Sequence, residues 1–210
     1  MQSMKIVKSA IAILIAVFPA VSSSAGEVGD ANYGAIFARK NCAWCHGPSL
    51  QGFATAPRLA GQKPLYIETQ LKDFAYHTRD NPFSRQYMWC AVANHLSLQT
   101  VRDLSVYVAM LHAKPAHNGF VALVPSGQKL YREGLPAANI PACVACHGPN
   151  AEGSGSIPRL GGLSYYYLKR RLEQWGEGYH ASAAFPMPRV ASKLPEDEIE
   201  TLASYLSFVN

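Results

Sequence analysis

Charge of either sign is thin in this chain. Lysine, arginine, aspartate and glutamate make up 16 % of its 210 residues, 19 basic against 14 acidic, for a formal balance of +5. Lys5 and Lys8 belong to an N-terminal leader, and without them 17 basic residues and a balance of +3 remain. That is too little to give the basic field a nucleic-acid binder needs, so no nucleic-acid partner is expected. Long apolar runs are lacking as well. The run Ala10-Ile11-Ala12-Ile13-Leu14-Ile15-Ala16-Val17-Phe18 falls short of the roughly 20 residues of a membrane span, and no later segment is long and apolar enough to cross one. With Lys5 and Lys8 before that run and Ser23-Ser24-Ala25 after it, residues 1–25 have the n-region, h-region and cleavage-site order of a secretory signal peptide. An uncleaved anchor is the competing reading. Methionine is rare: beyond residue 25 only Met88, Met110 and Met187 remain. Cysteine occurs five times, an odd number that excludes complete pairing into disulfides.

Four of those cysteines lie in a pentad that occurs twice, Cys42-Ala43-Trp44-Cys45-His46 and Cys143-Val144-Ala145-Cys146-His147. Cys-x-x-Cys-His is the attachment signature of a c-type haem. Two cysteines on the first turn of a helix each form a thioether with a porphyrin vinyl group, and the adjacent histidine is brought beneath the iron. A zinc knuckle or a thioredoxin-like pair explains the cysteines but not the histidine that follows them in both copies. Two covalently bound haem c groups are therefore expected, on Cys42 and Cys45 and on Cys143 and Cys146. Their propionates bring the holoprotein nearer to neutral. Covalent haem attachment, like the leader, points to export, and the expected location is a bacterial periplasm.

An offset of 101 residues superposes Cys42 on Cys143, His46 on His147, Pro57-Arg58-Leu59 on Pro158-Arg159-Leu160, Gly61 on Gly162, Tyr66 on Tyr167 and Leu71 on Leu172. Further on the offset slips, and residues 96–107 match residues 194–205. Upstream, Tyr33-Gly34 answers Ser126-Gly127, with an insertion in the second copy around residues 135–141. The expected organisation is a leader (1–25), a first lobe (26–112), a linker (113–125) rich in Pro and Gly, and a second lobe (126–210). Both lobes read as helical. The first has helices at about 32–42, from Pro64 onward, and from Ser97 as N-cap to about 111; the second has them at 127–133, 164–175 and 195–208. The stripe Tyr107, Val108, Leu111 and its partner Leu202, Tyr205, Leu206 read as core. Lobes this small are expected to fold poorly without haem to pack on.

His46 and His147 are the candidate proximal iron ligands, each with its second ring nitrogen donating to a carbonyl. Pro57 and Pro158, eleven residues beyond each histidine, are the candidates for that carbonyl, because a proline-fixed turn holds it still. The sixth ligand separates electron transfer from catalysis. Met187, in the irregular-looking Phe185-Pro186-Met187-Pro188, is the candidate in the second lobe, whereas Met110 reads as core. In the first lobe the register falls on Trp89, between Met88 and Cys90, so the choice stays open: Met88 is favoured, and Cys90 is the thiolate alternative. His77 and His95 read as surface or helix-end histidines.

Taken together, Cys42-x-x-Cys45-His46-Gly47, Pro57-Arg58-Leu59-x-Gly61, the Met88 region and residues 96–107, all repeated between residues 143 and 205, resemble the dihaem cytochrome c4 family over nearly the whole chain beyond the leader. The resemblance implies an all-α protein of two tandem class I cytochrome c-like lobes, each wrapped around a covalent haem. It implies His46 with Met88 and His147 with Met187 as axial pairs. It also implies a periplasmic carrier of single electrons between a respiratory donor and a terminal oxidase or reductase, its partners being redox proteins, some of them membrane-bound. No acid-base constellation accompanies the pentads, which fits a carrier that is not an enzyme and takes no small-molecule substrate. The alternative is a dihaem oxidoreductase acting on a small sulfur compound, similar to the thiosulfate dehydrogenases in ligand logic, with Cys90 on the first haem.

Overall fold

The computed structural model describes residues 28–53, 55–89, 96–180 and 186–210. Residues 1–25, read as a leader, and Cys90 and His95 lie outside them. Nine α-helices run through the described residues: α1 (Ala31–Asn41), α2 (Ala43–His46), α3 (Pro64–Ala75), α4 (Leu98–Met110), α5 (Val124–Glu133), α6 (Val144–His147), α7 (Tyr165–Gly176), α8 (Met187–Ala191) and α9 (Glu196–Phe208). No β-strand occurs among them beyond three isolated bridges. None of these helices is long and apolar enough to cross a membrane.

Local chemistry explains where the helices begin. The Asp30 carboxylate accepts from the Asn32 and Tyr33 amides and starts α1, and the Ser97 hydroxyl accepts from the Thr100 amide and starts α4. Pro64 opens α3, where its missing N–H costs nothing. Glu196, Asp197 and Glu198 sit in the first turn of α9, at the positive end of its dipole.

The first and last long helices of each lobe pack together, α1 on α4 and α5 on α9. Each pair crosses at a glycine. A Cβ at Gly34 would collide with the Asp103 carbonyl, and one at Gly127 with the Thr201 carbonyl and the Tyr205 side chain. Around the crossings lie Ala38, Ile67, Leu104 and Val108 in the first lobe, and Leu130, Tyr131, Leu168, Leu202 and Leu206 in the second. Met110 departs from its expected place in the core. It is 72 % exposed on the last turn of α4, because Val101, Leu104 and Val108 take the buried stripe and position 110 turns away from it.

Two further departures concern segments read as irregular. Val121–Leu123 forms a 3₁₀ turn and α5 begins at Val124, within the stretch expected to be linker, with Pro125 tolerated in the first turn. Met187 opens the short helix α8 instead of lying in a loop. The connection between lobes is bonded to the second one. The Ala116 and His117 amides donate to the Gly162 and Ser207 carbonyls, and the Gly119 and Phe120 amides to the Ser207 and Ser204 hydroxyls.

Candidate haem sites and the face between the lobes

Cys42 and Cys143 cap the two four-residue helices α2 and α6. At about 100° per residue, Cys42, Cys45 and His46 share one face of α2, and the corresponding residues share one face of α6. All four thiols are free. Burial, with Cys45 adding, pushes the Cys42 thiol up to about 11; burial pushes Cys143 equally far. Both are therefore thiols at neutral pH. No group of three or more His, Cys, Asp or Glu side chains that could hold a metal ion occurs among the described residues.

Each histidine is buried and oriented in the same way. Nδ1–H of His46 donates to the Pro57 carbonyl at 2.7 Å, and that of His147 to the Pro158 carbonyl at 3.1 Å. A carbonyl only accepts, so these bonds fix the tautomer and leave Nε2 with its lone pair. Burial lowers both imidazole pKa values and keeps the rings neutral. The loop that brings each proline back to its histidine is tied at two points. The Gly52 amide donates to the His46 carbonyl and Gly153 to that of His147, at 2.9 and 2.8 Å. Leu50 and Ala151, both fully buried with φ of 53° and 52°, each accept two amides from the residues after Pro-Arg, at 2.8 to 3.0 Å. A left-handed residue other than glycine is costly and persists only where its surroundings enforce it; here the conformation recurs in both copies, at Leu50 and at Ala151.

Met88 ends a single π-helical turn, Ser84–Met88, and is half-buried. Such turns are rare and gather at functional sites. Next to it, the Trp89 ring stacks on His77 at 3.9 Å and its indole N–H donates to the Arg79 carbonyl at 3.3 Å. His77 is exposed just beyond the end of α3, as a helix-end histidine. Met187 is half-buried against the core of the second lobe.

The structure adds a third region, where the lobes face each other. Tyr66 and Tyr167, repeat equivalents on α3 and α7, lie beside one another and beside Arg79, which donates to the Tyr167 hydroxyl at 3.2 Å, so the two copies face each other at matched positions. The Gln62 amide clasps the backbone of Arg159, accepting from its N–H at 2.7 Å and donating to its carbonyl at 3.0 Å. Buried Arg58 donates to the carbonyls of Lys114, Gly161 and Gly162 at 2.5 to 2.9 Å. Arg170 reaches back to the Thr55 carbonyl and lies 4.1 Å from the Phe83 ring centre. Asn81 Nδ2 donates to His180 Nε2 at 2.6 Å.

Between these clasps, Arg79 Nε, Arg171 Nε and Nη1, Trp175 Nε1 and His180 Nδ1 are buried with no acceptor in the protein. Burial and the Arg171 and Arg79 guanidinium groups drive the His180 pKa down to about 3, and burial with Arg79 drives Arg171 down to about 10. Unpaired buried donors are costly. Arg79 also donates to Gln70 Oε1 and to the Tyr167 hydroxyl, but two guanidinium groups with these donors left over call for anionic oxygens, and haem propionates have that chemistry. The residues therefore fit the group. These side chains were not singled out in the sequence, although Tyr66 and Tyr167 fall in register there and Pro-Arg-Leu repeats. Arg79 and His180 share the 101-residue register but differ in type, so the repeat conceals them.

Comparison with known proteins agrees with this architecture. The Cytochrome c family model matches twice, over residues 32–111 and 124–209. Cytochrome c4 of Thiocapsa roseopersicina is 34 % identical over 190 residues, covering 88 % of this chain and 95 % of the relative. A thiosulfate dehydrogenase electron acceptor of Stutzerimonas stutzeri is 36 % identical over 186 residues, covering 84 % and 82 %. The crystal structure of reduced cytochrome c4 from Pseudomonas stutzeri superposes with a TM-score of 0.76 at 29 % identity, over 87 % of this chain and all of that one. With two covalent haem c groups, one in each of two tandem all-α domains, the chain is an electron carrier, not an enzyme, and belongs to the cytochrome c family in its cytochrome c4 group.

Proposed function

We propose that this cytochrome works in the periplasm, carrying single electrons between a respiratory donor and a terminal oxidase or reductase. Cys42 and Cys45 would hold the first haem, Cys143 and Cys146 the second, with His46 and Met88, and His147 and Met187, as the axial pairs. Bound haem supplies a reversible one-electron couple. The chain supplies orientation: Pro57 and Pro158 fix the two imidazoles, Leu50 and Ala151 tie the loops that carry them, and Arg79 and Arg171 offer donors to propionates. The observation that carries this reading is the repetition of one His-to-Pro-carbonyl geometry in two lobes joined through Arg58 and Gln62. A pair of like redox sites in lobes joined by hydrogen bonds suits a relay, and no proton donor or acceptor is needed.

Near-infrared spectra of the oxidised holoprotein test the ligand set. Two methionine-to-iron charge-transfer bands are expected, with half the intensity lost in Met88→Ala and half in Met187→Ala. A thiolate signature in electron paramagnetic resonance, lost in Cys90→Ala, would overturn the assignment of Met88.

The similarity to a thiosulfate dehydrogenase electron acceptor favours a more specific donor, an enzyme that oxidises thiosulfate. Purified thiosulfate dehydrogenase with thiosulfate is then expected to reduce this cytochrome rapidly. Reduction by thiosulfate alone would contradict the carrier reading and support a dihaem oxidoreductase.

A further inference from the structure

The two pentads differ in what they present to solvent. Trp44, between the first pair of cysteines, is 88 % exposed. It lies roughly opposite the face shared by Cys42, Cys45 and His46, so a haem attached to that face leaves the indole uncovered. Arg39 on α1 lines the same open depression as Ala43, Trp44 and Pro48. Lys40 follows it; both cations are exposed and neither forms an ion pair among the described residues. An exposed tryptophan beside two unneutralised cations costs solubility and adds nothing to the core.

The second lobe lacks this arrangement. In the pentad register Ala145 stands where Trp44 does. The matched crossings at Gly34 and Gly127 place Arg132 and Glu133 where Arg39 and Lys40 stand, so two positive charges become a neutral pair. The Pro136–Ala138 turn, closed by the Leu135 and Ile140 pairing, also separates Arg132 from its pentad. One copy of a duplicated unit has thus acquired an aromatic knob and a basic rim beside its cofactor edge.

We propose that Trp44, with Arg39 and Lys40, forms the docking surface for a redox protein whose own face has an apolar centre and an acidic rim, so that electrons exchanged with this partner pass through the first lobe. Tryptophan with arginine is the composition that anchors small interfaces, and the cations steer an acidic partner onto it. Trp44 is one peptide bond from Cys45, which gives a docked partner a short covalent route toward the attachment site. The inference rests on the electron-carrier reading of the chain.

Stopped-flow reduction of the haem-loaded protein tests it. The protein probes are two blue copper proteins, one with an acidic and one with a basic docking patch, and photoreduced lumiflavin serves as a small neutral reductant. With the acidic probe the second-order rate is expected to fall as salt rises. Trp44→Ala is expected to lower it about tenfold, and Arg39→Glu with Lys40→Glu at least as much while abolishing the salt dependence. Arg132→Glu should leave it within about twofold. Rates with lumiflavin, normalised to haem content, should stay within about twofold in every variant. Equal losses in Arg132→Glu, unchanged rates in both Trp44→Ala and the charge-reversed variant, or faster exchange with the basic probe would overturn the proposal. So would a concentration-dependent dimer that Trp44→Ala dissolves, which would assign the face to a second copy bound through the acidic start of α9. Failure to exchange electrons even with lumiflavin would strike at the carrier reading itself, and the docking face would fall with it.

Discussion

His46 and His147 each give one ring N–H to a proline carbonyl, and that bond decides which nitrogen faces the haem side. The acceptor is main chain, so the carbonyl survives any substitution of the proline side chain. What the side chain supplies is a fixed φ and hence a fixed loop. Arg58 works at the same scale but between lobes. It donates to three carbonyls at the join between the lobes, and hydrogen bonds to charged groups are worth about 1.5–3 kcal/mol each. Arg58→Met is expected to cost about 2–4 kcal/mol and to split the calorimetric unfolding of the holoprotein into two transitions. A single unsplit transition would show that Gln62 and the tyrosine pair suffice to couple the lobes. Sequence register pointed to Arg58 through the repeated Pro-Arg-Leu, but not to its role. Its acceptors, Lys114, Gly161 and Gly162, lie more than 50 residues away.

The helices were largely legible because their signals are local. Pro64 and Ser97 announce two starts, and each is found where its chemistry places it. Ser97→Ala is expected to cost about 1 kcal/mol, read as a lowered Tm for the first lobe. Met110 shows where reading by residue type fails: an apolar residue on a helix is core only if its register agrees. Gly34 and Gly127 mark the helix crossings. Gly127→Val is expected to destabilise the second lobe by about 1–3 kcal/mol or more, because the Thr201 carbonyl cannot give way. Between α7 and α9, Lys169 Nζ lies 2.6 Å from Glu200 and within reach of Glu173 and Glu196. The Lys169 ammonium holds the Glu200 carboxyl below its ordinary value of 4.5. A depressed carboxyl pKa means the unfolded chain binds the proton more readily. The contact therefore stabilises above that ordinary value and fades as pH falls through the folded one. Tm of Glu200→Gln is expected to vary less steeply with pH in that acid range than that of the parent protein, by a small margin because the pair is exposed.

At the scale of the whole molecule the two lobes are joined face to face through Arg58, Gln62 and Arg170. Among the described residues the second lobe has the larger buried apolar cluster, built around Tyr131, Tyr205 and Leu206, while the first relies on a few aliphatic residues. Preventing haem attachment in the first lobe with Cys42→Ser and Cys45→Ser is accordingly expected to lose more helix, by far-ultraviolet circular dichroism, than the equivalent pair of changes at Cys143 and Cys146. Equal losses would mean that haem contributes the same support to both. The sequence alone determined the cofactor class, the duplication, the helical fold and the histidine-to-proline pairing. Each of these is written in short spacings or in periodicity, which a linear chain records. Only tertiary structure decided that Tyr66 lies beside Tyr167, that Arg79, Arg171, Trp175 and His180 each keep a buried donor without a partner, and that Trp44 is exposed beside two cations. The first two depend on how two copies of one unit are turned toward each other, a rotation of which the repeat carries no record, and the third on how α1 and α2 fold together within one copy.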